Sequence, residues 1–295
     1  MYWRIPNVRQ ITLKHIFTKV NKDKCMLEFI EYVEGKRYHE LDSMATDFFG
    51  KTGNKIYFRR HIGTYLKYAG LLEFDCSLHE EGQIVKNELL SKLYKSESKE
   101  LQSEYMNYLL LNWQFPQPQI EFSRDDEIRK PYLIILKILQ MLYKKDASEA
   151  YLENKEFYDL FVISSPKSTR YIDDKYIDNI IKHRKNKSWF RYKDNKYYKK
   201  DVGYYKGFLA ESFIITTDKK DYPLSQDFMI GLSKKKNWIL IIDKLIDVYE
   251  GQFFEFNPNI PSDNRVVTTK FSRYISDESR FKEWRSLYNN FIVCK

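Results

Sequence analysis

The sequence predicts an α+β protein that is predominantly helical, and three observations carry that reading. Apolar residues recur at helical spacing in several segments, such as Leu41, Met44, Ala45 and Phe48. Strand-like runs are few and short, at residues 71–74 and 213–217. The 295 residues are 43% hydrophobic, enough apolar material for a real core and too much for wholesale disorder.

In chain order, residues 39–49 are predicted as a helix, and Gly50 and Gly53 mark a turn. A second helix is predicted over 55–69, with Phe58, Ile62, Leu66 and Ala69 on one face and Gly70 at its C-terminal end. A short strand over 71–74 and a polar turn over 75–81 follow. Helix, turn, helix, strand and hairpin is the order of a winged helix. Its second helix would place Tyr57, Arg59, Arg60, Thr64 and Lys67 largely off the apolar face, where side chains reach a groove. Arginine suits bidentate contact with guanine. Against this, winged helices also serve as protein-interaction modules, and Arg59 and Arg60 can equally pair with the protein's own acids.

Residues 101–113 read as a helix that stops at Gln114-Phe-Pro-Gln-Pro118, where two prolines force an extended exit. The softest boundary therefore lies near 115–130. It divides the chain into an N-terminal winged-helix domain, 1–115, and a helical second domain, 116–295. Pro131 suits the first turn of a helix reaching Leu142. Residues 152–163 and 173–184 are predicted as two more helices, 213–217 as a strand and 237–249 as a helix. Residues 257–261 form a second proline-bounded loop.

The net charge of +9 is concentrated in one place. Residues 182–200 hold nine basic side chains, Lys182, Arg184, Lys185, Lys187, Arg191, Lys193, Lys196, Lys199 and Lys200, and one acid, Asp194. The other 276 residues then carry 41 basic and 40 acidic side chains, a balance of +1. Trp189, Phe190, Tyr192, Tyr197 and Tyr198 are interleaved with the cations. Lys and Arg neutralise phosphates while flat rings stack on sugars or bases, which is what a nucleic-acid contact segment needs. The bland alternative is a solvated basic loop with a few rings tucked into the core. The rings follow no amphipathic helical period, which speaks against a membrane-surface helix.

Most enzyme classes fail on the residue list. The five histidines are scattered, with no His-x-x-x-His pair for zinc. There is no Gly-x-x-x-x-Gly-Lys-Ser/Thr, no Gly-x-Gly-x-x-Gly and no Gly-x-Ser-x-Gly, which argues against nucleotide hydrolysis, dinucleotide chemistry and a serine elbow. A metal-dependent nuclease needs carboxylates for Mg²⁺ and a nearby lysine. Acid-x-Lys occurs six times, about what random placement of the chain's acids and lysines gives. Only Asp218–Lys220 follows a strand-like run, with Glu211 upstream. Glu211, Asp218 and Lys220 are therefore the weak catalytic candidates, set against a surface turn at a strand end. Cys25, Cys76 and Cys294 are too few and too scattered for a disulfide framework. No apolar run reaches the roughly 18 residues of a membrane span, and the N-terminus lacks the order of a secretory signal. The expectation is a cytoplasmic protein with no membrane partner and no metal or other cofactor.

Several motifs together resemble the DNA-recognition region of AlwI-type restriction and nicking endonucleases, the group that includes the MlyI and PleI types. They are Leu110-Leu-Asn-Trp-Gln-Phe-Pro116, Pro131-Tyr-Leu-Ile-Ile-Leu-Lys-Ile-Leu139, Leu152-Glu-Asn-Lys-Glu-Phe157 and Ile180-Ile-Lys-His-Arg184. Weaker matches are Trp3, Arg9, Tyr68-Ala-Gly-Leu-Leu72, His79-Glu-Glu-Gly-Gln-Ile84, Tyr204-Tyr-Lys-Gly-Phe-Leu209 and the loop 257–261. The resemblance spans about residues 1–265. It implies binding of a short asymmetric DNA site. Those enzymes carry a magnesium-dependent nuclease domain after the recognition region, and none of its motifs can be placed on the last residues of this chain. The resemblance therefore implies a target-recognition subunit that binds double-stranded DNA within a bacterial restriction or defence complex, with a nuclease or motor subunit as partner. Three rival readings remain: a self-contained Mg-dependent type II restriction endonuclease, a winged-helix transcriptional regulator, and a structural scaffold without DNA affinity.

Overall fold

The protein is seen in a computed structural model that describes residues 17, 24–36, 40–49, 73–75, 83–85, 88–96, 98–115, 128–163, 166–186, 198–234, 238–256 and 264–290. In order these form α1 (Met26–Val33), α2 (Leu41–Phe49), β1 (Glu73–Asp75), β2 (Gln83–Val85), α3 (Glu88–Lys95) and α4 (Lys99–Asn112). Next come α5 (Pro131–Lys145), β3 (Tyr151–Glu153), α6 (Asn154–Phe157), a π-helical stretch at Tyr158–Ile163, α7 (Asp174–Asn186) and α8 (Tyr198–Leu209). The last elements are β4 (Ile215–Thr216), β5 (Phe228–Leu232), α9 (Ile239–Tyr249), α10 (Asn264–Ile275) and α11 (Glu278–Tyr288). Among the described residues the protein is mostly helical with small antiparallel sheets, an α+β fold.

The chain packs into two compact units. One is Met1–Ile5, Leu110–Phe115 and Glu127–Phe253; the other is Pro6–Leu109, Pro116–Asp126 and Phe254–Lys295. These units differ from a single cut between 115 and 116, because Phe254–Lys295 belongs with the N-terminal part.

The first unit is built around α5. Pro131 opens it at a position whose N–H would have no helical partner. Ten of its fifteen residues are buried, on all sides of the helix, which is the pattern of a core helix rather than a surface one. It runs to Lys145, three residues past the predicted end at Leu142, because the last turn is polar yet anchored. Lys144 pairs with Asp243, and Lys145 with Asp174 and Asp178. Beside α5 lies a three-stranded antiparallel sheet in the order β3-β5-β4. Tyr151 pairs with Gly231, Leu152 with Ile230 and Ile215 with Leu232. The central strand, Phe-Met-Ile-Gly-Leu, is buried at all five positions. Gly231 has a steric reason to be glycine: a Cβ there would lie 2.3 Å from Cε2 of Tyr222. The Tyr222 ring crosses the strand at that point, and its hydroxyl donates to the Leu232 carbonyl at 2.7 Å.

Residues 152–163, predicted as one helix, are not one. Leu152 and Glu153 pair with β5, and only then does the chain turn into α6 and its π-helical continuation. Cross-strand pairing with residues more than seventy positions away overrides the local helical pattern.

In the second unit α1 and α2 meet through rings, with Phe29 5.4 Å from Phe48 and 5.3 Å from Phe49. Gly35, just past α1, takes a φ of 74°, the left-handed conformation of a helix-terminating glycine. β1 and β2 form an antiparallel hairpin, Phe74 opposite Ile84, and α10 packs on β1. On α4, Tyr105 and Tyr108 meet Phe281 of α11 edge-on at 5.2 and 5.5 Å. The Trp284 indole donates to the Glu104 carbonyl at 2.9 Å, and the Tyr108 hydroxyl to the Ile275 carbonyl at 3.0 Å. Residues 55–69, the predicted recognition helix of the winged helix, lie outside the described residues. No helix among the described residues is long and apolar enough to cross a membrane.

Candidate nucleic-acid interface

The basic segment is held by helices at both ends. Helix α7 delivers the chain to Asn186, and α8 takes it up at Tyr198, so residues 187–197 connect two packed elements. The α7 helix buries Ile177 and Ile180. The α8 helix buries Val202, Tyr205, Phe208 and Leu209, with Phe208 edge-on to Trp113 at 4.8 Å and Tyr205 5.3 Å from Phe157.

Three predicted contact residues fall on the last turn and a half of α7. Lys182 and Lys185 are exposed. Basic side chains there also complement the negative end of the helix dipole, which is their local structural reason.

Arg184 points the other way. Its Nε donates to Glu156 Oε1 at 2.7 Å, and one terminal nitrogen reaches Glu156 Oε2 and the Tyr151 carbonyl, both at 2.9 Å. The other meets the Glu149 carboxylate and, at 3.3 Å, the Glu149 carbonyl. The guanidinium also lies 4.1 Å from the Tyr151 ring centre. The Arg184 side chain is 9% exposed and that of Glu156 is fully buried. Burial pulls the Arg184 guanidinium down, but Glu156, Tyr151 and Glu149 outweigh it and hold the charge on more firmly than usual. Burial pushes the Glu156 carboxyl up, against the opposing pull of Arg184. Arg184 thus departs from the expectation that it grips phosphate: its donors are already used by the protein's own acids. The missed partners had one sequence signal, Glu153-x-x-Glu156, which is the capping box of α6, with Glu156 Oε2 accepting the Glu153 N–H at 2.9 Å.

Lys187, Trp189, Arg191, Tyr192, Lys193 and Lys196 lie outside the described residues, as do Tyr57, Arg59, Arg60, Thr64 and Lys67. The weak catalytic candidates are described. Glu211 is half-buried, while Asp218 and Lys220 are exposed. Asp218 Oδ1 accepts the Lys220 N–H at 3.0 Å and caps the short turn Lys219–Asp221 after β4. Among the described residues no three His, Cys, Asp or Glu side chains gather as a metal ion would require.

No protein-family profile matches the chain, and no curated protein matches it either. A solved structure does: the crystal structure of pyrene- and phenanthrene-modified DNA in complex with the BpuJ1 endonuclease binding domain. The match has a TM-score of 0.57 at 14% identity and covers 85% of this chain and 90% of that one. At that identity the likeness is one of fold alone.

Proposed function

We propose that this chain binds double-stranded DNA as the target-recognition part of a bacterial restriction or defence complex in the cytoplasm, with a nuclease or motor subunit as its partner. The observation that carries the reading is the fold likeness to the BpuJ1 endonuclease binding domain over most of both chains. The concentration of excess charge from the end of α7 to the start of α8 supports it, since cations displace counterions from phosphates whatever the base sequence. The finer kinship, to the AlwI, MlyI and PleI types, rests on the quoted motifs alone, and so does the separate nuclease.

In this reading residues 1–115 hold a winged-helix element whose Tyr57, Arg59, Arg60, Thr64 and Lys67 enter a groove and read bases. Lys182, Lys185, Lys187, Arg191, Lys193 and Lys196 of the second domain hold phosphates, with Trp189 and Tyr192 as stacking partners. The test is a mobility shift with a randomised duplex library. Arg59→Ala with Arg60→Ala relaxes sequence preference, whereas Lys185→Ala, Lys187→Ala, Arg191→Ala and Lys193→Ala together weaken all sequences alike. Absence of duplex binding sinks the proposal. Cleavage by the isolated chain with Mg²⁺, abolished by Asp218→Ala, overturns the separate nuclease.

A further inference from the structure

The basic segment leaves α7 after Asn186 and is taken up again at Tyr198, the first residue of α8. Both flanking helices are tied to the same four-residue helix, α6, and to consecutive residues of it. Glu156 takes Arg184, two positions before the end of α7, through bonds of 2.7 and 2.9 Å. Phe157 takes Tyr205 of α8, with ring centres 5.3 Å apart. Successive helical residues project about 100° apart, so one turn can face two neighbours at once.

Helix α6 is itself anchored to the sheet. The Asn154 backbone N–H and its side-chain amide both donate to the Asp227 carbonyl at 2.9 Å. The amide also donates to Asp227 Oδ1 at 2.9 Å. Ser225 donates its hydroxyl to Glu153 Oε1 at 3.1 Å, and Leu152 pairs with Ile230 of the buried central strand. Phe157 is held in turn by Phe161, 4.6 Å away.

Stability alone is a weak reason for the Arg184–Glu156 pair. Desolvating two charges offsets most of their attraction, and an apolar pair of similar size holds a fold as well. What a bidentate pair adds is direction, because two parallel bonds set the plane of the guanidinium. That direction fixes the last turn of α7, where Lys182 and Lys185 face solvent. Cations presented from fixed stems need less ordering when they meet phosphates, so less of the interaction is offset by lost freedom.

We propose that α6 is a clamp for the basic segment, in which Glu156 and Phe157 are positioning residues. They hold the two stems, and through them the cations, without touching the polyanion. The inference rests on the DNA-binding reading for the identity of that polyanion.

Glu156→Gln removes the acid of one stem, and Tyr205→Leu removes the ring of the other. Tyr108→Phe, which loses the bond to the Ile275 carbonyl in the second unit, is the control for lost stability. Duplex affinity of the full chain is measured against salt, below the melting range of every variant. In parallel, trypsin cleavage of the free protein after Lys187, Arg191, Lys193 and Lys196 is followed by mass spectrometry. Glu156→Gln and Tyr205→Leu should each lower affinity about threefold to tenfold, by the same factor at every salt concentration. No cation is lost, so the slope of log K against log salt stays unchanged. Cleavage of the segment should rise severalfold in both variants, and Tyr108→Phe should change neither readout. The sign for Glu156→Gln is diagnostic, since deleting an acid near a polyanion strengthens binding by charge alone.

Unchanged affinity or unchanged cleavage in Tyr205→Leu overturns the clamp, and so does an equal effect of Tyr108→Phe. Tighter binding by Glu156→Gln with a steeper slope overturns it too, because Arg184 would then be a phosphate ligand. Should Glu156→Gln fail to fold, Tyr205→Leu carries both readouts. No duplex binding by the unaltered chain sinks the DNA reading, and the cleavage readout then decides the clamp alone.

Discussion

Each unit contains an arginine that clasps a buried glutamate, and the two sites differ in how much water they see. In the first, Arg184 and Glu156 are 9% and 0% exposed. In the second, Arg285 donates to Glu104 at 2.7 Å, but the arginine is 44% exposed while the glutamate is 4% exposed. The first pair is enclosed and bidentate, with a second acid and a ring around the guanidinium. The second is open on its cationic side. The difference teaches that a basic residue can be spent on the fold or kept for a partner, and that only its surroundings tell which. Helix α7 holds both cases within four positions, Arg184 inward and Lys182 and Lys185 outward.

Removing the enclosed cation has the largest effect. Arg184→Ala leaves Glu156 buried without its partner and should cost about 3–5 kcal/mol in a urea titration. A loss no larger than that of Arg285→Ala would mean that the two sites are alike after all. Arg285→Ala should cost less, about 1–2 kcal/mol, because water can replace half of what the guanidinium provides. At the N-terminal end of the same helix, Asp277 caps α11 through the N–H groups of Ser279 and Arg280. The Ser279 hydroxyl, ahead of the opposing effect of burial, holds its carboxyl below the usual range. Its contribution is therefore fully present above about pH 4 and is lost as pH falls through the lowered folded value. Asp277→Ala should cost about 1 kcal/mol at neutral pH and nothing once the cap is protonated, as thermal melts across pH will show. Lys182→Ala and Lys185→Ala should shift stability by no more than about 0.5 kcal/mol. Each should instead lower the steepness of the salt dependence of duplex binding by about one.

Much of the fold was legible where local signals agree. Pro131 and the apolar run behind it locate the start of α5, and α4, α7 and α9 begin and end within two residues of their predicted limits. Elements decided by distant partners were not. β5 is buried on both faces, so it lacks the alternation that marks a half-buried strand, and its glycine reads as a break until the Tyr222 ring is seen crossing it. Helix α8 was hidden inside and behind the basic run because its lysines mask the apolar stripe of Val202, Tyr205, Phe208 and Leu209. The candidate interface was legible as charge but not as orientation. Arg184 and Lys185 are neighbours of the same sign, and the acids that claim Arg184 lie 28 and 35 residues away.

The account stands on the remaining cations of residues 182–200 meeting a polyanion. The most direct measurement is duplex affinity of the full chain as a function of salt. With six to eight phosphate contacts, log K plotted against log salt should fall with a slope of about −5 to −7. A slope near zero, or no duplex binding at low salt, would contradict it.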